Sequence, residues 1–171
     1  KMLIISILII SVYFILLIWL SNSIYYFQKT IDPEYIPDVS IIISAHNEEK
    51  NIANLLQCLI NQNYPINKYE IIIVNDRSSD NSLKILQSHQ SECNNLQIID
   101  IKETPIGWSN KKWALNKAIK LSNSNILLQI DADCKPNYNW LKTMVSHFEN
   151  PNVGFFCGAS PLVHKDSLLN N

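Results

Sequence analysis

Glycine is scarce in this 171-residue chain, which contains only three. A Gly-rich phosphate loop after the first predicted strand, as a sugar nucleotidyltransferase needs, therefore has no residues to build it. Basic runs are also absent and the net charge is −1, which excludes the electrostatic signature of a nucleic-acid-binding protein. The four cysteines form no CxxC pair and no N-x-[ST] sequon occurs. This pattern favours a reducing compartment over a disulfide-linked secreted domain.

Charge is missing altogether from the N-terminal segment. No charged side chain occurs from Met2 to Phe27, and residues 2–20 are almost all Ile, Leu, Val or aromatic. A helix over residues 2–20 would span about 28 Å, close to the hydrocarbon thickness of a bilayer. We therefore expect residues 1–28 to form a transmembrane anchor.

Two other interpretations of this segment fit less well. A cleaved signal peptide would have a shorter apolar core and a small-residue cleavage site. A buried core helix is rarely apolar on every face over such a length. Trp19, Tyr25 and Tyr26 fall where an interfacial aromatic belt is expected, whereas Lys1 and Lys29 flank the segment too evenly to reveal its orientation.

After the anchor, residues 29–38 hold two prolines and four charges, which predicts a short linker. Residues 39–171 are expected to form one domain in which apolar runs alternate with amphipathic stretches. The runs are rich in Ile and Val and mostly lack in/out alternation, which is typical of strands buried on both faces of a parallel sheet. They cover residues 39–44, 70–74, 96–101, 125–130 and 153–157.

The stretches between the runs carry helix signals. Asn47 is predicted to cap the first helix, with Glu48 and Glu49 in its first turn, and Ser79 and Asp80 to open the second. Repeated βαβ units predict an α/β fold with a mostly parallel, Rossmann-like sheet and helices on both faces. A third helix is expected from about residue 110 to 121 and a fourth after it; their predicted inward side chains are Leu115, Ala118 and Ile119, then Leu141, Met144, Val145 and Phe148.

Polar residues follow the predicted strands at the edge where an open parallel sheet binds ligands. Residues 45–48 follow the first strand, Asp76 lies at the end of the second, and Asp131 and Asp133 follow the fourth. At i and i+2 of an extended segment these last two carboxylates would share one side. Such hard oxygen donors suit Mg²⁺ or Mn²⁺, completed by phosphate oxygens and water. The alternative is a solvated D-x-D turn.

Four motifs in order resemble glycosyltransferase family 2, whose members have the GT-A fold. The resemblance covers about residues 38–160 and implies an enzyme that uses a nucleotide-diphosphate sugar as donor, commonly a UDP-sugar. The motifs are VSIIISAHNEEKNI (39–52), IIIVNDRSSD (71–80), GWSNKKWALNKAI (107–119) and LLQIDADCKP (127–136).

The resemblance implies a role for each matching residue. The segment from Ala45 through Asn47 to Glu48 would lie along the nucleoside, with Glu48 near the ribose, and Asp76 would hydrogen-bond the base. Lys111 would lie near the diphosphate, Asp131 near the ribose or the metal, and Asp133 on the metal. Simpler interpretations stay open: Glu48 as a first-turn helix charge, Asp76 with Ser78 as an Asx-type turn, and Lys112 in place of Lys111.

The chain departs from the family pattern at three positions. Asn75 stands where Asp is frequent, and Arg77 stands where Gly is frequent, so the loop geometry is expected to differ. His46 stands where Tyr is frequent and would either stack on the base or fill space. Trp108 would form a lid or acceptor contact, or only pack.

Inverting transfer also needs a base that deprotonates the acceptor, and we expect it beyond residue 171. The sequence thus predicts the donor and metal half of a membrane-bound inverting glycosyltransferase acting on a lipid or polysaccharide, with its catalytic domain on the cytoplasmic side. The alternative is a non-catalytic, membrane-tethered nucleotide-binding or scaffold protein.

Overall fold

A computed structural model describes residues 2–26, 34–91 and 93–158 of the chain. The chain divides into two compact units, Lys1–Asp32 and Pro33–Asn171. Predictions that fall on residues 27–33 and 159–171, including residues 29–33 of the linker, lie outside the described residues.

The first unit contains one helix, α1 (Met2–Tyr26), which forms where the sequence predicts an anchor. Its described side chains, residues 5–21, are all exposed, and most are Ile, Leu or aromatic. Within the described part of the chain, no helix combines the length and the apolar character that crossing a membrane requires.

The second unit is built on a four-stranded parallel sheet with strand order β3-β2-β1-β4, which confirms the predicted α/β architecture. Two short 3₁₀ turns, Ile66–Lys68 and His147–Glu149, supplement its helices. The elements alternate as β1 (Val39–Ala45), α2 (Ile52–Ile60), β2 (Tyr69–Asp76), α3 (Ser82–Gln90), β3 (Leu96–Ile101), α4 (Asn110–Leu121), β4 (Ile126–Gln129) and α5 (Trp140–Ser146).

Both faces of the sheet are covered, because the central strands β1 and β2 carry apolar side chains in both directions. One face packs against α2, α3 and α5 through residues such as Leu56, Leu86 and Leu141. The other face packs against α4, where Ala114 and Ala118 meet Ile42, Ile72 and Val74. Burial on both faces explains why the sequence of these strands shows no alternation.

The fourth strand differs from its prediction, because it lies at the sheet edge. Only Leu128 of β4 is buried, and Leu127 and Gln129 are exposed. The predicted fifth strand at residues 153–157 is wrong: this segment pairs with no described strand, and Phe155 is 85% exposed. An apolar run without a ladder partner has no hydrogen bonds to hold it extended.

The first two connecting helices begin later than predicted. Asn47 does not cap α2, because its φ of 55° turns the chain there, and the backbone N–H groups of Asn51 and Ile52 both donate to the Glu48 carbonyl. Glu48 and Glu49 therefore precede α2. Helix α3 begins at Ser82, whose N–H donates to Asp80 Oδ1 (2.9 Å).

Helix α4 has the predicted bounds but a different inward face. Its buried residues are Ala114 and Ala118, whereas Leu115 is half-buried and Ile119 is 46% exposed. Of the three predicted inward side chains, only Ala118 is buried. Alanine at these positions lets the helix axis approach the sheet closely, a preference that the positions of large apolar residues alone do not reveal.

We expect Leu56→Ala to lower the free energy of unfolding by about 2–5 kcal/mol, because the fully buried side chain leaves a cavity under the sheet. Ile66→Ala serves as the matched control, since Ile66 is 57% exposed and the change should cost under about 0.5 kcal/mol. Urea denaturation of the full chain, followed by tryptophan fluorescence, measures both. Equal losses for the two variants would contradict this packing.

Candidate functional site

The carboxyl ends of the strands define one edge of the sheet. Register pairs Ala45 with Asn75 and Asp76 with Ile101, so the loops after β1, β2 and β3 leave at the same level. Strand order reverses at β1, which has β2 on one side and β4 on the other. A crevice at such a reversal is where open α/β sheets bind ligands. Strands β2 and β4 are two strand spacings apart across the sheet, roughly 10 Å. Strand β4 ends level with Ile42 and Ile72, four residues before Asp76.

The loops after β1 and β2 are joined by hydrogen bonds in both directions. The Asn47 N–H donates to Ser78 Oγ (3.0 Å), and Asn47 Oδ1 accepts from the Ser79 N–H (2.8 Å). Asn47 adopts a left-handed conformation that Asn tolerates better than most residues, and this turns its backbone and side chain toward the second loop. The structure therefore gives Asn47 a loop-joining contact, while its predicted contact with a nucleoside is untested.

The two glutamates continue this connection. The Glu49 N–H donates to Asp80 Oδ2 (3.1 Å), and Glu49 Oε2 accepts from the Asn81 N–H (3.1 Å). The Glu48 N–H donates to Ser82 Oγ (2.8 Å), and Glu48 Oε2 accepts from Asn51 Nδ2 (2.8 Å). One oxygen of the predicted ribose-binding carboxylate thus already has a protein partner, and the residue is half-buried.

Asp76 ends β2 as a nearly buried carboxylate whose counter-ion is the next residue. Its side chain is 5% exposed, and Arg77 reaches it through Nε to Oδ1 (2.8 Å) and Nη2 to Oδ2 (3.4 Å). This contact raises the pKa of Arg77 above its usual value. Arg77 has a φ of 53°, in the left-handed region where the family frequently has glycine. Arg77 thus adopts a conformation that glycine reaches without strain, while the expected difference in loop geometry from the family stays a prediction.

His46 also contacts the end of β2. Its Nδ1 lies 2.5 Å from the Asp76 carbonyl oxygen, and because a carbonyl only accepts, this nitrogen carries the proton. The other ring nitrogen, Nε2, lies 3.3 Å from Asn47 Nδ2 and accepts from it in the neutral ring. The imidazole therefore fixes the relative position of two predicted site residues.

Asn75 is the buried end of a chain of polar contacts that runs to the surface and that the sequence does not reveal. Its Nδ2 donates to Asp100 Oδ1 (2.8 Å), and Lys102 Nζ lies 2.5 Å from Asp100 Oδ2. Desolvation would raise the pKa of Asp100, but the bonds from Lys102 and Asn75 outweigh it and lower that pKa. Asn75 Oδ1 is buried without a partner among the described residues. Only the register of β2 and β3 brings these side chains together.

Lys111 and Asp131 meet although they come from different elements. Lys111 Nζ in the first turn of α4 lies 2.8 Å from Asp131 Oδ1 beyond β4. Of the two lysines considered in the sequence, Lys111 makes this contact. Both side chains are more than half exposed, so the pair contributes little to stability and is free to exchange partners.

Asp131 and Asp133 do not lie on an extended strand as predicted. The last ladder bond in this segment runs from the Ile130 N–H to the Ile42 carbonyl. The chain then turns, with the Cys134 N–H donating to the Asp131 carbonyl (3.1 Å). Both aspartates are exposed. Across residues 2–26, 34–91 and 93–158, no group of three or more His, Cys, Asp or Glu side chains is placed to hold a metal.

Comparison with known proteins decides the family. The glycosyl transferase family 2 profile matches residues 40–170. The chain belongs to glycosyl transferase family 2. Among curated relatives, it is 32% identical over 123 residues to glycosyltransferase AglE of Haloferax volcanii, covering 72% of this chain and 39% of that protein. It is 33% identical over 129 residues to beta-monoglucosyldiacylglycerol synthase of Trichormus variabilis, covering 75% and 27%. The chain therefore spans well under half the length of these relatives.

Solved structures agree with this assignment. Mannosyltransferase PcManGT of Pyrobaculum calidifontis, in complex with GDP-Man and Mn²⁺, superposes with a TM-score of 0.66 at 26% identity, covering 81% of this chain and 41% of that one. S. aureus TarS 1–349 in complex with UDP-GlcNAc superposes with a TM-score of 0.57 at 27% identity, covering 66% and 31%. The parallel sheet described above is thus consistent with a GT-A fold.

A cleft of about 510 Å³ opens beside the end of β2 in this family 2 chain. Trp108 lies in its lining, is 46% exposed, and packs edge-on against Trp113 with ring centroids 5.2 Å apart. The indole is therefore partly held by packing, while its predicted lid or acceptor role is untested. The full lining is Arg77, Lys102, Glu103, Thr104, Pro105, Ile106, Gly107, Trp108 and Asn110.

Asp80→Ala should destabilise this family 2 chain by about 1–2 kcal/mol, because the carboxylate accepts from the N–H groups of Glu49 and of Ser82, the first residue of α3. Desolvation raises the Asp80 pKa, but these hydrogen bonds and one from the Ser82 side chain lower it overall. Its contribution to stability is therefore complete above about pH 4, the range of an unfolded Asp, and is lost as pH falls through the lowered pKa.

Urea denaturation across a pH series measures this difference between wild type and variant. Asp38→Ala is the control, because Asp38 is exposed and pairs with Lys68 at the surface. A difference between wild type and Asp80→Ala that stays constant far below pH 4 would show that the carboxylate carries no stabilising charge.

Proposed function

We propose that this chain is the donor-binding part of an inverting glycosyltransferase that uses a UDP-sugar. The observation that carries the proposal is the convergence of oppositely charged groups from separate loops at the strand-order reversal of the sheet. Asp76 is the last residue of β2, Lys111 lies in the first turn of α4, and Asp131 follows β4. Lys111 Nζ lies 2.8 Å from Asp131 Oδ1. Carboxylates and an ammonium gathered at one edge provide partners for a base, a diphosphate and a cation.

The nucleoside is proposed to lie across the loops after β1 and β2. Ala45 and Asn47 would line it, Glu48 would use its second carboxylate oxygen on the ribose, and Asp76 would accept from the base. The hydrogen bonds between these loops support this arrangement, because they hold the site in place before the nucleotide arrives.

The diphosphate and its cation are proposed to lie between α4 and the turn after β4. Asp131 and Asp133 offer hard, exposed oxygen ligands that fit Mg²⁺ or Mn²⁺, with the remaining positions left to phosphate and water. Bound there, the ion would neutralise charge on the departing diphosphate. Lys111, which neutralises Asp131 in the structure, would turn to the phosphate oxygens.

The acceptor is proposed to be a lipid or a polysaccharide, and the base that deprotonates it to come from the longer protein. The named relatives include a glycolipid synthase, which supports a lipid acceptor. Inversion requires attack from the face opposite the diphosphate, so the base must approach from the side of the site facing away from Lys111 and the aspartates.

Membrane attachment through α1 is part of the proposal, with the second unit on the cytoplasmic side, where nucleotide sugars are available. The exposed side chains of residues 5–21 support this proposal, because so large an apolar surface is unfavourable in water.

Asp133→Ala should remove most of the increase in UDP affinity that Mn²⁺ produces, because it deletes one of two protein ligands. Isothermal titration calorimetry of the full chain with UDP, with and without Mn²⁺, measures the effect. Glu103→Ala, which removes an exposed carboxylate from the neighbouring cleft, should keep the Mn²⁺ dependence. Equal UDP binding by the wild type with and without Mn²⁺ would refute the metal site.

Ile10→Arg should reduce membrane retention of the full chain, because a charge near the centre of a spanning helix costs about 2.5–3.5 kcal/mol. Carbonate extraction of a membrane fraction measures the retained protein, and Ile10→Leu is the control. Full release of the wild type by carbonate would argue against a spanning α1.

A further inference from the structure

The Asp76–Arg77 pair presents two different hydrogen-bonding surfaces side by side. Arg77 uses its Nε and one Nη2 hydrogen on the carboxylate, which leaves three N–H donors. Each Asp76 oxygen receives one of these bonds and retains further acceptor capacity. The side chain of Arg77 is 32% exposed and that of Asp76 only 5%, so a ligand meets the guanidinium first.

Arg77 is also directed into a space where a ligand fits. It lines the 510 Å³ cleft together with Lys102, Thr104 and Trp108. Thr104 Oγ1, in the same lining, is buried and has no hydrogen-bond partner in the described part of the chain. A buried hydroxyl without a partner is costly, which indicates a polar ligand or solvent at this point.

The backbone holds the guanidinium in this place at a cost. A φ of 53° is unfavourable for a long side chain, and such conformations persist where the surroundings fix them. Here the Arg77 N–H donates to the Ile101 carbonyl (3.0 Å), which extends the β2–β3 ladder by one residue. His46 meanwhile holds the Asp76 carbonyl. Neither residue of the pair can be displaced without breaking these bonds.

We propose that Arg77 is a specificity-determining residue of the donor site, which reads the base together with Asp76. Asp76 accepts from a ring N–H, and Arg77 donates to the carbonyl beside it. This edge occurs in uracil, at N3–H and its neighbouring carbonyl, and in guanine, at N1–H and O6. The inference rests on the proposed nucleotide-sugar function and defines its substrate class as nucleotides with a lactam edge.

The Asp76–Arg77 pair disfavours cytosine and adenine. Cytosine in the orientation of uracil places its unprotonated N3 against the Asp76 carboxylate and its amino group against the Arg77 guanidinium. The first contact places an acceptor against an acceptor, and the second places a donor against a donor, so neither forms a hydrogen bond. Adenine fails in the same way against the orientation of guanine. A lone carboxylate would supply only one of these two mismatches, so Arg77 should account for part of the discrimination.

Arg77→Gly tests the proposal without straining the backbone at this position, because glycine adopts a φ of 53° without strain. Calorimetry of the full chain with Mn²⁺ gives the dissociation constants of UDP, GDP, CDP and ADP. We expect the variant to bind UDP about tenfold more weakly and its preference for UDP over CDP to fall by about tenfold. Arg77→Lys, which keeps the charge but not the planar fork, should behave similarly.

Lys102→Ala is the matched control, because it removes a second, more exposed cation from the same cleft. It should change the affinities for all four nucleotides by a common factor. If wild type binds UDP and Arg77→Gly keeps the wild-type UDP-to-CDP ratio, the inference is wrong and the proposed function survives. If wild type binds none of the four, the proposed function itself fails. Tighter binding of GDP than of UDP would support recognition of the lactam edge, but it would replace the proposed UDP-sugar donor with a GDP-sugar.

Discussion

The parallel ladder that places β1 between β2 and β4 is the constraint on which the rest of the structure depends. Because all four strands run in one direction, every loop that carries a polar motif leaves the sheet at the same edge. Because β1 lies between β2 and β4, the loop after β2 and the turn after β4 flank the loop after β1. Ile41, Ile43 and Ile73 are fully buried, and the ladder is held by this apolar packing and not by the charged groups at its end.

Acidic residues at that edge are tolerated because each has a donor. Asp80 and Glu49 accept backbone N–H groups from the opposite loop, Asp76 accepts the guanidinium of Arg77, and Asp131 accepts the ammonium of Lys111. Several bonds, some half-buried and some exposed, join the first two loops and fix their shape, whereas the Lys111 contact is a single exposed pair that exchanges easily. In the proposed function, the joined loops would hold the nucleoside and the exchangeable pair would face the diphosphate.

Much of this arrangement is readable from the sequence, and the failures have identifiable physical causes. Strand and βαβ predictions succeed where burial on both faces gives continuous apolar runs, and the four ordered motifs predict the family that the profile match confirms. The predicted strand at 153–157 fails because pairing is a property of two segments, and the predicted cap at Asn47 fails because its oxygen bonds across to Ser79. Contacts such as Asn75 with Asp100 depend on register between β2 and β3, which no local pattern encodes.

Two of the departures from the family pattern can each be explained by the carboxylate that the substituted side chain contacts. An Asp at position 75 would face Asp100 at hydrogen-bonding distance and repel it, whereas the Asn75 amide donates to it, so the exchange fits the residue on β3. Arg77 in place of glycine retains the left-handed turn and gives the adjacent carboxylate a bidentate partner. Each substitution adds a donor beside a carboxylate that burial would otherwise make costly. Which variants of this loop can fold therefore depends on charge compensation between neighbouring strands and between adjacent residues. It depends less on any single motif residue.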